Sequence, residues 1–297
     1  MSKRLITLSG PTGIGKTALA IELAQHYNTE IISCDSRQFY KEMSIGTAVP
    51  SMEDLKSIPH HFIQHLSIHD NYSVGTFEKE ALQLIDILFQ KFDTLILVGG
   101  SGLYMNAVIH GMDSFPEVPK KIREELNAAY QEKGIEYLQN EFLKWDPIYS
   151  QQIDPNNPHR LIRALEVCIA SGKPYSSFLN QPKQPRTFEV LSFALNAPRD
   201  WLYQRINKRV DIMFEKGLVE EAKSLFPLKH LNALQTVGYK ELFLYFEGVH
   251  SLEFAKEEIK KNTRRYAKRQ LTWIRNKKTI EVISCDNSLS KIVSKTN

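Results

Sequence analysis

Short runs of apolar, β-prone residues alternate along the chain with stretches whose apolar positions recur at helical spacing. Leu5-Ile-Thr-Leu-Ser9 reads as a strand. A glycine-rich turn follows, and Thr17 to Tyr27 then sets Leu19, Leu23 and Tyr27 on one helical face. Glu30 to Cys34 is a second strand, ending at Asp35-Ser36, and the alternation from His61 to Leu66 predicts a third. Phe77 to Phe92 is helical, with Leu82, Ile85, Leu88 and Phe89 on one side. Thr94-Leu-Ile-Leu-Val98 is a continuous apolar run, the pattern of a strand covered on both faces, and Gly99-Gly100 stops it. Strands alternating with helices predict right-handed βαβ units and a parallel sheet.

Between Glu117 and Lys173 the pattern changes to long polar helices, with Ile122, Leu126 and Tyr130 on one face and a second helix over Arg160 to Ala170. Pro116 and Pro119 bound this stretch on one side, and Pro174, Pro182 and Pro185 on the other. Strand character returns at Phe188 to Leu195, helices follow, and Thr279 to Ile283 is the last strand. The expected architecture is an α/β core of residues 1–116 and 186–297, interrupted by an all-helical insertion at 117–185. A chain of 297 residues suits two such bodies.

Composition narrows the class. With 42% apolar and 24% charged residues the chain is neither disordered, collagenous nor a coiled coil. No apolar run approaches the roughly 20 residues of a membrane span, and the first residues lack the apolar core of a secretory signal. Cys34, Cys168 and Cys285 are odd in number and widely spaced, which predicts free thiols in the cytoplasm. The net charge of +4 is unevenly spread. Lys256 to Lys278 holds ten basic residues against Glu257 and Glu258, a surplus of eight, so the rest of the chain is slightly acidic. Such a stripe suits an extended polyanion or a solvated helix face. His60, His61, His65 and His69 crowd a short stretch, but no cysteine is near and no zinc is expected there.

The sharpest local chemistry is Gly10-Pro11-Thr12-Gly13-Ile14-Gly15-Lys16-Thr17, which matches G-x-x-x-x-G-K-[ST] between a strand and a helix. Its glycines let backbone N–H groups turn toward a phosphate at a helix N-terminus. Lys16 adds a point charge and Thr17 a hydroxyl for Mg²⁺. These features predict a P-loop NTPase-like core. Yet the strand Thr94–Val98 ends in glycines, without the acidic residue by which a nucleotide hydrolase holds its metal. The carboxylate placed to face the cradle from a strand end is Asp35, as a base or as a second Mg²⁺ ligand.

An ordered series of motifs then carries a resemblance. Beside the P-loop stand Asp35-Ser-Arg-Gln-Phe-Tyr40, Ile45-Gly-Thr-Ala48, Pro59-His-His61 and Gly99-Gly-Ser-Gly-Leu-Tyr104. Arg160-Leu-Ile-Arg-Ala-Leu-Glu166, Gly172-Lys-Pro174, Val237-Gly-Tyr-Lys-Glu241 and Thr263 to Trp273 follow. The chain resembles the bacterial tRNA dimethylallyltransferase family from Gly10 to Arg275. It differs in Ser101, where threonine is usual, and in Val49 and Gln64.

The resemblance implies transfer of a five-carbon isoprenoid from dimethylallyl diphosphate to N6 of the adenine 3′ of a tRNA anticodon. It makes the P-loop a diphosphate site, with Arg209 as a clamp, and implies a catalytic role for Lys16 and Thr17. Asp35 becomes the base that orients and deprotonates the amine, a contribution of about 10²–10⁴-fold for a positioned group. Asp35, Ser36, Arg37, Gln38, Ser101, Arg123, His159, Arg160, Leu161, Ile162 and Arg163 would touch the tRNA. The insertion would clamp the anticodon stem–loop around a flipped base. A monomer is implied, with no membrane partner. From the residues alone, a P-loop small-molecule kinase using ATP also fits the cradle and Asp35, but it leaves the insertion and the basic stripe without a role. A tRNA-binding protein without catalysis is the third reading.

Overall fold

A computed structural model describes residues 3–296. Six parallel strands form one sheet in the order β3-β2-β4-β1-β5-β6: β1 (Arg4–Ser9), β2 (Ile31–Ser33), β3 (His60–His61), β4 (Thr94–Val98), β5 (Glu189–Asn196) and β6 (Glu281–Ser284). In chain order the helices are α1 (Lys16–Tyr27), α2 (Met52–Ser57), α3 (Val74–Leu88), α4 (Gly102–His110), α5 (Lys120–Trp145) and α6 (Pro158–Ser171). They continue with α7 (Arg199–Glu215), α8 (Leu218–Leu225), α9 (Tyr239–Phe246), α10 (Leu252–Arg275) and α11 (Ser288–Thr296). No helix among the described residues is long and apolar enough to cross a membrane.

The uninterrupted apolar strands serve two cores at once. Successive side chains of a strand point to opposite faces, so Ile6, Leu8 and Ile96 enter one cluster with Leu19, Leu23, Leu202 and Ile206. Leu5, Leu95 and Leu97 enter the other, with Phe77, Ile85 and Met105 of α3 and α4. Each such buried side chain contributes roughly 1.5–3 kcal/mol, and the central strands draw that gain on both sides.

The third strand is shorter than the alternation predicts. It stops at His61, because Phe62 (φ 60°) and Gln64 (φ 49°) adopt left-handed backbone that no strand continues through. His61 there binds Glu30 Oε2 at 2.6 Å, while His65 lies among the rings of Phe39, Phe62 and Tyr72.

The chain divides into two compact units, one made of the residues up to His110 and from Arg186 onward, the other of Gly111–Pro185. The second unit starts ahead of Glu117, where the prolines suggest a boundary, because the preceding residues already belong to its contacts. Asp113 pairs with Lys183, and Phe115 stacks on Tyr175. Its core gathers Leu126, Leu138, Phe142, Leu161, Ile162 and Leu165 from α5 and α6. α5 is broken at Gly134, whose φ of 76° interrupts the helix.

Candidate active site

The topology decides which loops meet. β4 lies between β1 and β2 in the sheet, so the turns leaving β1, β4 and β2 are neighbours. They carry the cradle, Gly99–Gly102 and Asp35 respectively. This is the C-terminal edge of a parallel sheet, where open α/β folds bind ligands.

In the cradle, Gly13 (φ 81°) and Gly15 (φ 107°) hold left-handed backbone, and Gly15 caps α1. A side chain at Gly13 would meet Ile206 Cγ1 at 3.2 Å as well. Lys16 curls over its own loop, its Nζ donating to Gly10 O at 2.9 Å and to Pro11 O at 3.0 Å. Burial pulls its ammonium down to about pKa 8; Asp35 opposes that shift and Arg209 adds to it. Burial likewise lowers the Arg209 guanidinium, again against the opposing effect of Asp35. These three groups thus share one electrostatic environment.

Two cavities open around them. One of about 640 Å³ is lined by Thr12, Gly13, Gly15, Lys16 and Thr17 of the cradle, and by Ser33, His60 and Lys208 among others. The other, of about 890 Å³, runs past Gly46, Val237, Tyr266 and Arg269 to His250 and Phe254. Thr12, Asp35 and Arg209 line both. Gly10, Pro11 and Ile14, expected in the phosphate site, line neither; the Ile14 side chain is buried in the core.

The residues after β2 are anchored rather than free. The Asp35 carboxylate accepts the Arg37 N–H at 3.2 Å. Ser36 N–H donates to Ser101 Oγ at 3.2 Å, and the two hydroxyls lie 3.1 Å apart. Arg37 donates to the Ala233 carbonyl, and the Gln38 amide to those of Thr47 and Ala48. Glu221 holds the same Ser44–Ala48 segment from α8, accepting the N–H groups of Ser44, Ile45 and Gly46 and the Tyr239 hydroxyl.

The inner face of α10 completes the site. Tyr266 lines the larger cavity, and Trp273 packs inward against the core around Phe77 and Met105. Burial pushes the Tyr266 hydroxyl up to about 12, with Asp35 acting in the same direction and a hydrogen bond to Ser101 opposing it. Trp273 lies against Gly102, where a Cβ would sit 2.3 Å from the indole. Gln270, which sequence reading passed over, joins Thr12 to Gly100. Its signal was a polar residue on the buried stripe of Ala255, Ile259, Ala267 and Ile274.

Three of the ten basic residues of the stripe are already paired. Lys256 and Lys260 pair with Asp211, Lys260 also with Glu257, and Lys261 with Glu258.

In the second unit, Glu166 is buried and grips two arginines. Arg123 binds it bidentately at 2.5 and 2.7 Å, and Arg163 at 2.5 Å. Arg163 also lies over the Phe115 ring. His159 and Arg160 are exposed. Leu161 and Ile162, expected to touch RNA, instead point into the core of this unit, 1% and 5% exposed. Apolar residues on the inner side of an amphipathic helix go to the core whatever motif they belong to.

The family model described as IPP transferase matches residues 38–277. A tRNA dimethylallyltransferase of Christiangramia forsetii is 55% identical over 292 residues, 98% of this chain and 97% of that protein. One from Flavobacterium johnsoniae is 58% identical over 284 residues, 93% of this chain and 92% of that protein. The crystal structure of a tRNA isopentenylpyrophosphate transferase from Bacillus halodurans aligns with TM-score 0.71 and 38% identity, covering 99% of this chain and 94% of that one. A eukaryotic dimethylallyltransferase acting on tRNA aligns with TM-score 0.85 and 29% identity, over all of this chain and 79% of that one. The chain belongs to the IPP transferase family.

Proposed function

We propose that the chain transfers a dimethylallyl group from dimethylallyl diphosphate to N6 of the adenine 3′ of the anticodon in tRNA. The observation that carries this reading is that Asp35 borders both cavities, one lined by a phosphate cradle and the other wide enough for a base. The diphosphate occupies the smaller cavity and the extruded adenine enters through the larger, so the two substrates meet at Asp35 from opposite sides.

The C1–O bond of the allylic diphosphate breaks with its electron pair leaving on oxygen. The adenine N6 lone pair forms the new C–N bond, and the N6 proton passes to the Asp35 carboxylate. N–H groups of Gly13, Gly15 and Lys16, the Lys16 ammonium and Arg209 take up the charge that grows on the departing diphosphate. Lys16 leaves its carbonyls in the loop to do so. The donor set fits Mg²⁺, a hard cation that takes oxygen ligands and is bound largely through phosphates and water. Thr17 Oγ and the Asp35 carboxylate line the cavity where it would sit. Bound there, it would supply Lewis-acid stabilisation of the leaving group.

The Gly111–Pro185 unit is assigned to the anticodon stem–loop. Arg123 and Arg163 offer guanidinium edges already oriented by Glu166, and His159 and Arg160 stand exposed beside them. The protein works as a monomer in the cytoplasm, where its three unpaired cysteines stay reduced.

Incubation with Mg²⁺, dimethylallyl diphosphate and unmodified tRNA, with ATP omitted, tests the reading. Mass analysis of the tRNA nucleosides should show N6-isopentenyladenosine. An absolute requirement for ATP, or phosphate transfer in place of prenylation, would establish a kinase instead.

A further inference from the structure

Gln270 lines neither cavity, yet its amide touches the two loops between which the reaction is assigned. Its Oε1 accepts the Thr12 N–H at 2.8 Å, and its Nε2 donates to Gly100 O at 2.9 Å. The side chain is only 7% exposed. Gly100 is bare where the amide passes: a Cβ there would lie 2.4 Å from Gln270 Nε2 and 3.8 Å from Asp35 Oδ2. Gln270, Gly100 and Asp35 are therefore layered directly on one another, with Thr12 of the cradle on the far side of the amide.

A buried primary amide bonded at both ends behaves as a spacer of fixed length. Removing either bond leaves a buried polar group unsatisfied, so the two loops have no cheap way to drift apart. The loops leave adjacent strands, β1 and β4, and Asp35 leaves β2 on the other side of β4. No backbone hydrogen bond between Thr12 and Gly100 is found among the described residues, so the side chain from α10 makes the join.

We propose that Gln270 is a positioning residue for prenyl transfer: it fixes the separation between the cradle that holds the leaving group and the loop against which the base Asp35 rests. The inference rests on the proposed prenyl transfer and deepens it. Misplacement of reacting groups by about 1 Å costs on the order of 10²-fold in rate. Gln270→Met, similar in shape but without either hydrogen bond, should therefore lower the single-turnover rate about 10- to 100-fold at saturating dimethylallyl diphosphate and tRNA. The tRNA Kd should stay within about twofold, and the single-turnover amplitude should remain full.

Amplitude separates positioning from damage. A variant that is merely misfolded in part shows a reduced amplitude at the parental rate, and that outcome overturns the proposal, as does a parental rate with full amplitude. Gln270→Glu gives an independent test. Ionised, the new carboxylate accepts from Thr12 but cannot donate to Gly100; protonated, it does both, as the amide does. The ratio of variant to parent rate should rise as pH falls through the titration of the new carboxyl, followed directly by the spectroscopic titration of that group. A ratio that stays flat or falls as that carboxyl takes up its proton refutes the spacer role. If the parent itself makes no prenylated adenosine, the proposed function fails, a result distinct from either variant outcome.

Discussion

Asp35→Asn separates chemistry from architecture at the centre of the site. The amide has nearly the size of the carboxylate and its oxygen can still accept the Arg37 N–H, now held at 3.2 Å, so the turn after β2 survives. The second oxygen becomes an NH₂ group on the side of Gly100. What vanishes is the proton acceptor and one negative charge. Loss of a positioned base costs about 10²–10⁴-fold, so the single-turnover rate at saturating substrates should fall at least about 10²-fold, equivalent to roughly 2.7 kcal/mol of barrier. The lost charge has a second, measurable effect. Asp35 is the larger of the two influences, with Cys34, that oppose the burial-driven fall of Lys16, whose value in the parent is about 8. Without it Lys16 loses its proton at still lower pH, so dimethylallyl diphosphate binding to the free variant weakens relative to the parent as pH rises from about 7 to about 8.5. Rapid-quench single turnovers give the first quantity, and equilibrium binding of the diphosphate at the two pH values gives the second. A single-turnover rate within about threefold of the parent would remove Asp35 as the base, and equal pH dependence of binding would break its electrostatic link to Lys16.

Lys16→Arg should abolish the pH break in diphosphate affinity near pH 8, since a guanidinium stays charged there; titrations of the parent and variant between about pH 7 and 9 compare them. Arg163→Ala leaves Glu166 still bound by Arg123, so the unit should keep its fold. It should weaken tRNA binding, with the slope of log K against log salt shallower by about 0.7–0.9 if one phosphate contact is lost; parallel slopes would place Arg163 off the backbone. Gly46→Ala puts a Cβ 2.6 Å from ring atoms of Tyr239, which is fully buried and bonded to Glu221. Overpacking of this kind costs about 1–3 kcal/mol, readable as a lower denaturant midpoint at unchanged m-value.

How far the site was legible depended on where the information lay. The cradle is a local pattern: three glycines, a lysine and two threonines within eight residues, with the glycines supplying the left-handed backbone the turn needs. Four of the strands showed themselves by composition because they are covered on both faces. The third strand showed itself by alternation but its end did not, since the left-handed residues Phe62 and Gln64 that stop it are neither glycine nor asparagine. Gln270 and Glu166 escaped for a different reason. Each is a polar residue in a helix rich in charge, and only its phase marks it: Gln270 falls on the stripe with Ala267 and Ile274, Glu166 among Leu165, Val167 and Cys168. Their partners, Thr12 and Arg123, lie far away in sequence, so no spacing rule reaches them. The same phase would have kept Leu161 and Ile162 off the RNA surface.

The basic stripe shows how a net charge misleads until it is divided by geometry. In the first half of α10, Lys256, Lys260 and Lys261 are matched by Asp211, Glu257 and Glu258. Among the described residues, Arg264, Arg265, Lys268, Arg269, Arg275, Lys277 and Lys278 have no carboxylate within ion-pair distance. Within that half, Arg265, Lys268, Arg269 and Arg275 are exposed, while Tyr266, Gln270 and Trp273 turn inward onto the loops around Asp35. One helix thus presents unbalanced positive charge to solvent and, one residue out of phase, the groups that brace the site. A surplus of eight overstates the charge available to a polyanion. The relevant quantity is the set of seven unpaired residues from Arg264 to Lys278, on the second half of α10 and just past its end, and it sits back to back with the spacer between the cradle and the base.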